Sequence, residues 1–193
     1  LMLKKLVVCG VGLIGGSFAQ GLKAAGKVNE VVGLGRTRGP LEEARRLGVI
    51  GRIAAGWADA LAGADLVRLA TPVGQMEAVF AALVPHLAPG TIITDGGSTK
   101  SDVVAAARAG LGSKIAQFVP GHPIAGAEKS GVSAARADLY LDKRVVLTPL
   151  AENSAADVAK VQVAWEACGA RVSRLAPEEH DRVFAAVSHL PHL

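Results

Sequence analysis

The chain has 193 residues, half of them hydrophobic and only 4% aromatic, with 21 basic against 17 acidic residues and a net charge of +4. That length suits one domain with a real core, or one domain and part of another. A mild charge excess with no basic run excludes the clustered stripe that nucleic acid needs and suits a small anionic ligand, while no apolar stretch reaches the roughly 18–20 residues that cross a bilayer.

Residues 1–5 run directly into the first strand, Leu6-Val7-Val8-Cys9, and leave no room for a signal peptide, so a cytoplasmic protein without a membrane partner is expected. Cys9, and Cys168 much later, read as small core residues in a reducing compartment rather than a disulfide. The strand opens into Gly10-Val11-Gly12-Leu13-Ile14-Gly15, and a helix is expected over Ser17–Ala25. In this pattern Gly10 permits a tight turn, Gly12 lets backbone approach a pyrophosphate, and Gly15 lets helix and strand pack closely. The helix N-terminus, with the first-turn residues Leu13 and Ile14, then faces the anion. The glycine turn is informative because a strand precedes it and a helix follows.

The second strand is Glu30–Leu34. An acid near its end would bind the ribose 2′-hydroxyl of NAD, but Gly35 stands there and Arg36-Thr37-Arg38 follows. A glycine removes the charge that repels a 2′-phosphate, and these three residues supply donors. NADP is therefore expected over NAD, with NAD possible; solvated loop arginines are the plainer alternative. A short helix over Pro40–Leu47 ends at Gly48, followed by a weak strand at Arg52–Ala55 and a helix over Trp57–Leu61. Ala64–Ala70 is the fourth strand, and Thr71 and Pro72 at its carboxyl end border the expected cofactor. Arg68 interrupts its apolar pattern and has no explanation at this level.

Gln75–Leu87 reads as a helix and Thr91–Thr94 as the fifth strand. Asp95-Gly96-Gly97-Ser98-Thr99-Lys100 then leads into a helix over Ser101–Leu111. Its polar residues suit either a helix cap or a site at a strand's carboxyl end. After the sixth strand, Ala116–Val119, comes a glycine- and proline-rich loop, 120–131, that carries His122, Glu128, Lys129 and Ser130. Loops held by a rigid sheet are where chemistry concentrates, although His122 would equally serve to cap a turn. Lys143–Pro149 and Arg171–Arg174 read as strands, with an amphipathic helix over Ser154–Cys168 between them. Pro177 opens a last helix, and the chain stops within it on Ser188-His189-Leu190-Pro191-His192-Leu193, which reads as an interruption. The whole order is that of an α/β, doubly wound, Rossmann-type, mostly parallel sheet.

Five segments in this order are Gly10–Ser17, Ala70–Val73, Asp95–Lys100, Gly121–Gly126 with Glu128, and Ser188–His192. Together they resemble the prephenate/arogenate dehydrogenase family of tyrosine biosynthesis. The resemblance implies a dinucleotide-binding domain over residues 1–175. It makes residues 176–193 the opening of an all-helical dimerisation domain, so the intact protein would be a homodimer. It implies oxidative decarboxylation of prephenate or arogenate, with hydride passing to NAD(P) and no metal. His122 would be the base, assisted by Ser98. Ser98, Lys100, His122, Glu128, His189 and His192 would shape the substrate pocket, with Glu128 gating or orienting it. Two other readings share the fold: a reductase of the β-hydroxyacid type with its lysine in a later domain, and a module that binds NADP without turnover.

Overall fold

A computed structural model describes residues 2–124 and 131–189. The core is a six-stranded, wholly parallel sheet in the order β3-β2-β1-β4-β5-β6. Its strands are β1 (Leu3–Cys9), β2 (Val28–Leu34), β3 (Arg52–Ile53), β4 (Leu66–Leu69), β5 (Ile92–Asp95) and β6 (Phe118–Val119). In β1, Leu6 and Val8 enter one apolar layer and Val7 and Cys9 the other. Both faces are covered, which is why the strand reads as a continuous apolar run rather than an alternating one.

One layer lies under α1 (Leu13–Ala24) and α6 (Ala155–Ala167), the other under α3 (Trp57–Leu61), α4 (Val73–Leu83) and α5 (Ser101–Leu111). Between β2 and β3 runs α2 (Arg38–Arg46). The carboxyl ends of β1, β2, β4 and β5 all open on one edge, where ligands of such sheets lie. A second, three-stranded sheet joins β7 (Gly121–Pro123), β8 (Arg144–Leu147) and β9 (Arg171–Arg174), and α7 (Pro177–His189) follows. Among the described residues no helix is long and apolar enough to cross a membrane.

Several boundaries differ from the sequence reading for identifiable reasons. α1 begins at Leu13, so Gly15 and Gly16 lie inside it, Gly15 packed close on β1 and Gly16 against Ala135, Val49 and Val132. α2 begins two residues before Pro40, which occupies its first turn, where a missing N–H costs nothing. α4 ends at Leu83 and tightens into a 3-10 turn at Val84–His86, because Pro85 cannot donate to a helical carbonyl. Residues 121–123, expected as loop, form a strand. Gly121, His122 and Pro123 pair antiparallel with Leu147, Val146 and Val145, so long-range pairing overrides local composition. α6 starts as expected, with Ser154 Oγ accepting the Asp157 N–H at 3.1 Å.

Arg68 also gains an account. It points with Leu66 into the layer under α1 and α6 and is wholly buried. Its guanidinium lies 5.6 Å from the Phe18 ring centroid and 5.3 Å from that of Trp165, and Nη1 donates to the Leu69 carbonyl at 2.8 Å. Nε and Nη2 find no hydrogen-bond partner among the described residues. A desolvated cation–π contact is worth up to about 2 kcal/mol, whereas each unsatisfied buried donor costs about 1–3 kcal/mol. Two such donors together cost about 2–6 kcal/mol against up to about 4 kcal/mol from the two ring contacts, so the terms nearly cancel and Arg68→Met is expected to hold or raise the denaturant midpoint with unchanged slope. A loss above about 2 kcal/mol would give the aromatic sandwich the larger share.

Candidate active site

The first part of the site is the bend after β1. Gly10 has φ +84°, and a Cβ there would lie 2.8 Å from the Ala70 carbonyl oxygen at the end of β4. A Cβ at Gly15 would lie 2.8 Å from Val8 Cγ1 and 2.9 Å from the Gly10 oxygen. Glycine is thus required twice, once by backbone conformation and once by helix–strand approach. Gly12 is the N-cap of α1 in extended conformation, and no side chain caps the helix. Its first-turn N–H groups therefore suit an anion. Tyr140 holds this turn from behind by donating its hydroxyl to the Ile14 carbonyl at 2.9 Å.

Beside the bend lies a cleft of about 360 Å³. It brings Gly10, Arg36, Thr71 and Pro72 together, as expected from the sequence, and adds Trp57 and Gln75, which the sequence reading missed. A single tryptophan at a helix start carries no sequence signal of a ligand wall. Cys9 also lines the cleft, but burial pushes its thiol up to about 12, so it is an inert wall. Of the other expected cofactor residues, Thr37 is the N-cap of α2 without a side-chain cap bond, and Arg38 pairs with Glu42 at 3.0 Å on the surface. Arg36 is therefore the arginine of this group that reaches the cleft. The bend, the uncapped helix and this wall fit a dinucleotide, with α1 at its pyrophosphate.

A second cleft of about 470 Å³ lies at the end of β5 and is lined by Ser98, Thr99, Asp102, His122, Asp181 and Phe184. Ser98 and His122, the two expected catalytic residues, thus share one wall. Lys100 does not join them. Its ammonium is wholly buried and donates to Asp95 Oδ2 at 2.5 Å and to the Gly121 carbonyl at 2.7 Å. Asp95 Oδ1 in turn accepts the Gly121 N–H at 3.0 Å, and Oδ2 the Gly97 N–H at 2.9 Å. The pair grips both polar groups of the residue before His122. Burial presses the Lys100 ammonium below its ordinary value, and Asp95's carboxylate opposes that. Lys100, expected at the substrate, instead holds backbone.

His122 is half-buried and its Nδ1 lies 2.8 Å from Nε2 of His180. His180 is wholly buried, and its Nδ1 lies 2.8 Å from Asp181 Oδ1. Phe184 packs against both rings, at centroid distances of 5.2 and 4.6 Å. Asp181 also accepts the N–H groups of Lys100 and Ser101 at 2.8 and 2.9 Å, and so caps α5. Burial alone would raise the Asp181 carboxyl, but these N–H groups and His180 hold it at about 2. Burial lowers His122 to about 4, with His180 and Lys100 adding to the effect and Asp95 and Asp181 opposing it. His180 and Asp181 read in the sequence only as part of the last helix that Pro177 opens, with no role at the site. Glu128 and His192 lie outside the described residues, and His189 closes α7.

A sheet edge with an anion-binding bend, beside a cleft bearing a neutral imidazole, defines a nucleotide-binding α/β domain of the dehydrogenase type. Residues 18–174 match the family model for the prephenate dehydrogenase nucleotide-binding domain, and the chain belongs to that family. It is 37% identical over 190 residues to the cyclohexadienyl dehydrogenase of Zymomonas mobilis, covering 98% of this chain and 64% of that protein. Prephenate dehydrogenase from Aquifex aeolicus in complex with hydroxyphenyl propionate and NAD+ superposes with a TM-score of 0.91 at 35% identity, over 100% of this chain and 66% of the other. Arogenate dehydrogenase from Synechocystis does so with a TM-score of 0.87 at 29% identity, over 97% and 65%. The chain thus spans about two thirds of the length of these relatives.

Gly15→Ala is expected to lower stability by about 1–3 kcal/mol through overpacking against β1, and to weaken binding of the nicotinamide dinucleotide. Denaturant melts and a fluorescence titration with NAD and NADP measure the two effects; unchanged affinity would detach the bend from the cofactor.

Proposed function

We propose that the complete protein is a nicotinamide-dependent dehydrogenase that oxidatively decarboxylates prephenate or arogenate in tyrosine biosynthesis. The observation that carries this reading is the neutral imidazole of His122 beside Ser98, in a cleft next to the dinucleotide bend on the same sheet edge. The Aquifex relative, which holds NAD+ and hydroxyphenyl propionate together, supports pairing these two clefts as cofactor and substrate sites.

The residues act as follows. The bend and α1 hold the dinucleotide, and Arg36 supplies the donor for a 2′-phosphate. His122 takes the proton of the ring hydroxyl, and Ser98 hydrogen-bonds that oxygen and fixes its direction. When bound, the nicotinamide accepts the hydride from the carbon bearing the hydroxyl. The ring then loses carbon dioxide and becomes aromatic. Lys100 acts from within the protein by positioning Gly121. Glu128, His189 and His192 keep the pocket-shaping role that the family resemblance gives them. Residues 1–175 form the dinucleotide-binding domain and 176–193 open a helical dimerisation domain, in a cytoplasmic homodimer.

Because Gly35 replaces the expected acid and Arg36 lines the cleft, we propose that NADP is preferred over NAD. Steady-state rates with each cofactor check this, read as absorbance of the reduced nicotinamide with prephenate or arogenate. A lower KM for NADP is expected, and a clear preference for NAD would overturn it.

His122→Asn in the full-length protein is expected to lower kcat by about 10²–10⁴, with dinucleotide affinity within a few-fold of wild type. Retained turnover would remove His122 from the reaction. Its pH dependence is also fixed in sign. A depressed value keeps the His122 imidazole itself unprotonated as pH falls, so its own protonation is expected to enter the kcat/KM profile near pH 4 rather than 6.5. Between those values the unfolded chain binds a proton that native His122 refuses, so its contribution to stability is full above about 6.5 and is lost as pH falls toward about 4.

A further inference from the structure

The hydrogen bonds around His122 dictate which of its nitrogens carries the proton. Asp181 is ionised, held by two backbone N–H donors, and an ionised carboxylate only accepts. The hydrogen in its 2.8 Å contact with His180 therefore sits on Nδ1 of His180. In the row proposed here His180 carries only that one hydrogen, which leaves its Nε2 an acceptor. The 2.8 Å contact between that Nε2 and Nδ1 of His122 needs one hydrogen, which then comes from His122. His122 carries its hydrogen on Nδ1, and its lone pair falls on Nε2. Phe184 packs against both imidazoles and holds the rings in this row.

We propose that Asp181 and His180 are positioning residues that fix the tautomer of His122, so that Nε2 is the proton acceptor for the substrate hydroxyl. This rests on the reading of His122 as the base. In the reaction the hydroxyl proton moves to Nε2 while the hydride leaves the same carbon for the nicotinamide. The positive charge that forms on His122 is met by a row of donors and acceptors already aligned, Nδ1–H to His180 and Nδ1–H of His180 to Asp181. No proton need leave His180, and Asp181 stays ionised. A cationic His180 would reverse the first bond and place the His122 hydrogen on Nε2, where it blocks the base.

The test uses the full-length protein with ¹⁵N-labelled imidazoles. At neutral pH the wild-type spectrum is expected to show His122 protonated at Nδ1 and bare at Nε2. Asp181→Ala removes the acceptor that holds the hydrogen on Nδ1 of His180, so the row is released and His122 is expected to carry its hydrogen on Nε2 in a measurable share of molecules. The same variant is expected to lose about 10²–10⁴ in kcat, the scale of a wrong tautomer, with KM and dinucleotide affinity within a few-fold. A wild-type His122 protonated at Nε2 overturns the proposal without any variant, as does an unchanged His122 tautomer in Asp181→Ala. Turnover retained by His122→Asn, with the expected wild-type spectrum, would instead sink the assignment of the base and leave the tautomer relay standing.

Discussion

The buried pair of Asp95 and Lys100 is what the rest of the site depends on. Both charges have left water, which costs several kcal/mol each in a real protein and is recovered only when geometry and extra hydrogen bonds are good. Here the extra bonds go to backbone: the N–H and carbonyl of Gly121 and the N–H of Gly97. The result joins the ends of β5, α5 and β7 at a single point. His122 therefore leaves a peptide that is fixed from both sides, on a strand also paired to β8. A flexible loop would not hold an imidazole in line with a neighbouring cleft.

The two clefts divide the work by electrostatics. The dinucleotide side offers an uncapped helix terminus and Arg36, both suited to phosphate. The His122 cleft keeps its imidazole uncharged chiefly by burying it, with the Lys100 ammonium close by. A charged His122 would attract a carboxylate but could not take a proton. Burial thus keeps the lone pair free at the cost of base strength, and positive charge is left to the other cleft.

The sheet was largely legible because its strands are apolar on both faces and its turns are marked by glycine. Gly10 and Gly15 were readable for the same reason: no other residue meets their demands. Residues 121–123 were not, since their composition is that of a loop and their partner lies on β8. Arg68 was visible as an anomaly, but its aromatic sandwich comes from α1 and α6, far apart in the chain. Ser98 and His122, which line one cleft, stand in short motifs that are visible in the sequence. His180 and Asp181 are not legible there, because their partners lie 58 and 81 residues away and only the docking of α7 brings them together. Lys100 was noticed correctly as a special residue, but sequence cannot tell a cation facing ligand from one holding backbone.

Asp181 touches His180 within its own helix and the start of α5, 81 residues earlier in the chain. A cut drawn at the linker before Pro177 would pass through this network rather than beside it. Such a half would keep its nucleotide bend yet present an unsupported imidazole and an unstoppered α5. Grafting a foreign C-terminal half onto this sheet would succeed only if the donor's first helical turn brought an equivalent histidine and carboxylate in register.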